Sequence, residues 1–90
     1  MNSNAFAVEF SSAAGRDLKR LDPPVRFQLL RAAQVLKGRP YPSPEGRIKQ
    51  LAGIVPPHFR LRVSDYRIVY RIERKKVVVI RVAHRREVYR

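Results

Sequence analysis

The chain has 90 residues, with 20 Lys plus Arg against 7 Asp plus Glu and a formal net charge of +13. A hydrophobic fraction of 44% is enough for a packed globule, which excludes a disordered basic tail; the length suits one small domain, residues 1–90. The lack of cysteine excludes disulfides, thiolate nucleophiles and cysteine metal sites, and two histidines without an acidic cluster make a poor site, so neither metal nor cofactor is expected.

Such a charge draws polyanions at long range. Nucleic acid is the first candidate partner and an acidic protein the second. A membrane surface comes third, because no basic amphipathic helix dominates the chain. The N-terminal segment lacks the long apolar core of a signal peptide, and no stretch approaches transmembrane length. A cytoplasmic location is expected.

Phe6, Val8 and Phe10 alternate with Ala7 and Glu9, the period of a short strand over 6–10. Ser11 or Ser12 can cap the following helix, from 13 to about 21, in which Gly15 is a weak point. Asp22-Pro23-Pro24 ends that helix and opens another over 24–37, since proline is tolerated in a first turn. Val25, Leu29, Leu30, Ala33 and Leu36 form its buried stripe, while Arg26, Arg31, Gln34 and Lys37 stay in water. Gly38 stops it. The resulting helical hairpin needs a surface to pack on, and a sheet is the one available.

Residues 38–47 hold three prolines, two glycines and a tyrosine, an extended connector whose sharper reading is a PxxP-type ligand. Residues 48–51 read either as a helical turn or as a short extended piece. Val55-Pro56-Pro57 is a rigid lead-in to three strands: 59–63, 66–72 and 77–83. Ser64-Asp65 makes the first turn and 73–76 the second. The last strand is nearly all apolar, as expected of a central strand with both faces covered. The fold class is therefore α+β, in the order β-α-α-β-β-β: a twisted antiparallel or mixed sheet with the helical hairpin on one face. The first strand joins as an added edge or beside the last.

Arg60 and Arg62 lie two apart on one strand and point the same way; Arg67 and Arg71 repeat this on its neighbour. Arg81 is a candidate to join them. Like charges about 5 Å apart across a ladder repel unless an anion sits between them. The plain alternative is that these arginines splay into solvent. Against that, acidic partners are few, and Arg predominates over Lys, which suits bidentate phosphate binding. His84-Arg85-Arg86-Glu87-Val88-Tyr89-Arg90 closes the chain. His84 is poised for proton exchange near neutral pH, or serves structure. Tyr89 can stack on an exposed base or act as a hydrophobic anchor.

The segment FRLRVSDYRIVYRI, the strand KKVVVIRVAHRREVYR and the upstream IKQLAG, in this order and spacing, resemble the RelE branch of the RelE/ParE toxin superfamily. The match runs through essentially the whole chain. The resemblance implies the toxin of a type II toxin–antitoxin pair that cleaves mRNA in the ribosomal A site without metal. In that chemistry the 2′-hydroxyl attacks its own 3′ phosphate, leaving a 2′,3′-cyclic phosphate and a 5′-hydroxyl. It implies an acidic RelB-like antitoxin as partner, with operator DNA bound only through that complex, and no membrane. It places Arg62, Arg67, His84, Arg85 and Tyr89 at the catalytic centre and Lys49, Arg60, Arg71, Arg81 and Arg86 along the RNA. Arg67 and Arg85 would stabilise charge on the phosphate and leaving oxygen, and Tyr89 would stack on the nucleotide. The family's best-known pattern has lysines where this chain has Arg60 and Arg62; arginine stays protonated, so the general base is unassigned, with His84 a candidate. The alternatives are a ParE-type inhibitor of DNA gyrase, which cuts no RNA, and a non-catalytic RNA- or ribosome-binding module.

Overall fold

The computed structural model describes residues 5–87. The chain runs through strand β1 (Ala7–Phe10), helix α1 (Ser12–Lys19), helix α2 (Pro23–Gln34), a 3-10 turn (Val35–Lys37) and strands β2 (Ile48–Leu51), β3 (His58–Val63), β4 (Tyr66–Glu73) and β5 (Lys76–His84). These strands form one five-stranded sheet in the order β1-β5-β4-β3-β2. β1 runs parallel to β5, pairing Val8 with Val77 and Phe10 with Val79, and every other pairing is antiparallel. The mixed sheet with two helices on it is the expected α+β architecture. The first strand lies beside the last and is itself an edge of the sheet, so both placements the pattern allowed describe it. The open choice at 48–51 resolves to a strand, and the meander therefore has four members.

Local chemistry explains the helices. Ser11 is extended, and its hydroxyl accepts the Ala14 N–H at 3.1 Å, satisfying an otherwise orphaned donor of α1. The same hydroxyl donates to the Ile80 carbonyl at 3.0 Å, which ties the start of α1 to β5. At the other end Arg26, expected in water, is half-buried. Its Nε donates to Leu18 O (3.1 Å) and its Nη2 to Leu21 O (2.9 Å), so one guanidinium closes the corner between the helices.

Leu29, Ala33 and Leu36 pack with Leu61, Ile68, Tyr70, Val77 and Val79 in one buried cluster between helices and sheet. Tyr70 stacks on Phe59 with ring centroids 5.6 Å apart. Its hydroxyl donates to the Pro40 carbonyl at 2.7 Å, which fastens the proline-rich connector to the core.

β5 departs from expectation. Val77, Val79 and Val82 are buried, but Val78 and Ile80 are half-exposed, so only the helix side of this central strand is covered. Its ladder with β4 also slips: Val69 pairs with Arg81 and Tyr70 with Val79, leaving Ile80 as an extra residue. That bulge switches the alternation. Odd positions face the helices before it and even positions after it, which brings Val82 into the core and His84 to the same side.

Candidate nucleic-acid interface

On β3, Phe59, Leu61 and Val63 are buried, so His58, Arg60 and Arg62 face away from the helices. The antiparallel register sets Arg62 opposite Arg67 and His58 opposite Arg71. Lys49 of β2 stands opposite Arg60, which in turn faces Val69. One residue before β2, Arg47 extends the ladder: its carbonyl accepts the Arg62 N–H at 2.9 Å. Arg47, Arg62 and Arg67 therefore form a row across three neighbouring chain segments, with Lys49 and Arg60 in the row beside it. Facing residues in such a ladder have Cβ atoms about 5 Å apart. Carboxylates close to these rows are few.

Each cation has its own environment. Arg62 is exposed, with no carboxylate partner among the described residues. Arg67 Nη1 donates to the carbonyls of Ser64 (3.0 Å) and Tyr66 (2.9 Å), which holds the guanidinium at the β3–β4 turn. Arg60 Nη1 reaches the carbonyls of Gly46 (3.3 Å) and Arg47 (3.2 Å). Arg85 meets Asp65 at that same turn: its N–H donates to the Asp65 carbonyl at 2.7 Å and its Nε lies 3.8 Å from the carboxylate. Both side chains are more than half exposed, so this ion pair contributes about 0–1 kcal/mol and can be exchanged for a phosphate.

A model of the ParE toxin of type II toxin–antitoxin systems matches residues 8–89. The chain belongs to this toxin family. It is 34% identical over 88 residues to Toxin RelG of Mycobacterium tuberculosis, covering 94% of this chain and 97% of that one. Its fold matches the RelBE2 toxin–antitoxin complex of the same organism with a TM-score of 0.76 and 30% identity, over 89% of this chain and 98% of that one. The intact Escherichia coli RelBE complex matches with a TM-score of 0.69 and 31% identity, over 89% and 96% of the two chains. The protein is a RelE-like toxin of the RelE/ParE superfamily.

The toxin gathers only part of the expected cluster on one face. Lys49, Arg60, Arg62 and Arg67 share the open side of the sheet, and Arg85 reaches its edge through Asp65. Arg71 shares that side but is paired with Glu73. Arg81 does not join them. Its guanidinium turns to α1 and binds Asp17, whose carboxylate holds it even further above the ordinary arginine range. His84 stands on the helix side, in a cleft of about 570 Å³ lined also by Asp17, Arg20, Tyr66, Arg81 and Glu87. Its ring meets Tyr66 edge-on at 5.6 Å, and its Nδ1 accepts the Arg86 N–H at 3.2 Å. In the neutral ring the proton then sits on Nε2. The Arg86 side chain is exposed in the turn after β5, and Tyr89 lies outside the described residues. Sequence reasoning missed Arg47. A period-two pattern running from Arg47 through Lys49 was the available signal, obscured because 48–51 had two readings.

Proposed function

We propose that the toxin is an endoribonuclease that cleaves ribosome-bound mRNA through attack of a 2′-hydroxyl on the adjacent phosphate. The observation that carries this reading is the Arg62–Arg67 pair, opposed on the face that the helices leave open. Attack builds negative charge on the phosphate oxygens, and prepositioned guanidiniums stabilise that charge more than they stabilise the ground state. Arg62 and Arg67 would hold the scissile phosphate, Arg85 would exchange Asp65 for the departing oxygen, and Lys49 and Arg60 would take the flanking strand. Tyr89 would orient the nucleotide. His84, on the helix side, acts in this reading as support for Tyr66 and the end of β5. The 34% identity to Toxin RelG adds to it. Two of the matched structures are complexes with antitoxins, and a face carrying this many cations suits an acidic antitoxin as inhibitor.

The test is primer extension on an mRNA translated in the presence of the toxin. New 5′ ends inside the reading frame, lost with Arg67→Ala, are expected. The ParE description of the matching family favours a second reading, inhibition of DNA gyrase through protein contact. In that case no new 5′ ends form, and supercoiling by purified gyrase falls instead.

A further inference from the structure

Arg47 has no assigned role, yet the fold presents it with care. The turn before it is built by three hydrogen bonds: Gly46 N–H to Ser43 O (2.9 Å), Ser43 N–H to Ile48 O (3.1 Å) and Ile48 N–H to the Ser43 hydroxyl (3.1 Å). Gly46 has φ +80°, where a side chain would be strained, and a Cβ there would also meet Lys49 Cε at 3.1 Å. Arg60 clamps the turn from below through the Gly46 and Arg47 carbonyls. The Arg47 side chain is exposed, makes one long bond from Nε to Arg62 O (3.4 Å), and has no carboxylate ion pair among the described residues. Its terminal nitrogens point no donor at a protein acceptor there. A rigid turn that holds a guanidinium in line with Arg62 and Arg67 is arranged for an anion.

We propose that Arg47 binds a backbone phosphate of single-stranded RNA next to the one held by Arg62 and Arg67, and so sets the register of the strand across the sheet. Neighbouring strands lie about 4.8 Å apart, so the row from Arg47 to Arg67 spans about 10 Å, long enough for more than one phosphate. The proposal rests on the RNA reading of this face and deepens it.

The experiment measures binding of a fluorescent single-stranded RNA oligonucleotide to the full chain over a range of salt. Each phosphate contact on a single strand adds about 0.7 to the slope of log K against log salt. Arg47→Ala should lower the slope by about that amount and Arg47→Lys should keep it. Arg31→Ala, an exposed helix arginine, controls for bulk charge. On mRNA-programmed ribosomes, Arg47→Ala should raise the half-saturating toxin concentration several-fold. If Arg47→Ala and Arg31→Ala behave alike in both assays while the parent cleaves normally, the Arg47 assignment falls alone. If the slope depends on Arg47 but no mRNA is cut, the phosphate site stands and the nuclease reading falls. If the parent binds no RNA, both fall.

Discussion

Asp17 on α1 accepts three hydrogen bonds from β5: from Arg81 Nε at 2.9 Å, from Arg81 Nη2 at 3.2 Å and from the Val82 N–H at 2.8 Å. Asp17 is buried, whereas the Arg81 side chain is more than half exposed. The backbone bond thus matters more to stability than the ion pair, because water can replace the carboxylate at Arg81 but not at Val82. Asp17→Ala should cost about 2 kcal/mol, mainly from the orphaned Val82 N–H. Asp17→Asn keeps one acceptor and should cost about 1 kcal/mol less. Urea denaturation midpoints check both.

That contact also marks where the sequence stopped being legible. The β3–β4 hairpin was readable because 59–63 and 66–72 alternate, apart from Val69, around Ser64-Asp65, and so parity placed Arg62 and Arg67 on one face; the structure adds that they stand directly opposite each other. Parity failed on β5. The extra residue at Ile80 reverses which positions face the helices, and no residue type announces it, since Ile80 fits a regular strand equally well. His84 was misplaced for that reason, whereas Arg81 left the expected row because its guanidinium reaches Asp17 of α1, a long-range contact that no local pattern encodes. Arg26 was misjudged for another: a charged residue on a helix reads as solvated, and only the folded corner reveals carbonyls within its reach. The pairing of Ile48 with Leu61, which makes β2 a strand, is likewise a long-range contact that four residues cannot encode locally.

Tyr70 gives a prediction in alkali. Burial pushes its hydroxyl well above the ordinary tyrosine range. The folded state therefore keeps a proton that the unfolded chain releases near pH 10. Stability should be full below that pH and fall as pH rises above it, by at most about 1.4 kcal/mol per pH unit from this group. Tyr70→Phe removes the bond to Pro40 and should cost about 1 kcal/mol at neutral pH. It should also flatten the alkaline limb of a stability–pH curve measured by chemical denaturation.

Ser64 sits at the β3–β4 turn with φ +55°. A left-handed conformation costs a non-glycine residue about 1–2 kcal/mol, whereas glycine adopts it freely but loses about 0.5–1 kcal/mol through the unfolded chain. Ser64→Gly should therefore stabilise by about 0.5 kcal/mol. The carbonyl that receives Arg67 Nη1 remains, so cleavage should be unchanged. Thermal melting and primer extension measure the two effects separately.

Arg62 and Arg67 should separate stability from function most sharply. They oppose each other in the ladder, and like charges directly across a sheet destabilise it by up to about 1 kcal/mol. Arg62→Ala removes that repulsion and should leave the fold as stable or about 0.5 kcal/mol more so, with the gain shrinking at high salt. If the proposed endoribonuclease reading holds, the same substitution removes a donor for the developing phosphate charge and should slow cleavage by roughly 10²–10³-fold. Stability and rate thus move in opposite directions. Arg67→Ala also loses its bonds to the turn carbonyls, so its stability should fall slightly while its rate falls as far. Paired denaturation and single-turnover cleavage on programmed ribosomes would show this. A variant at Arg62 that lost stability and kept its rate would assign Arg62 to structure and remove it from the phosphate site.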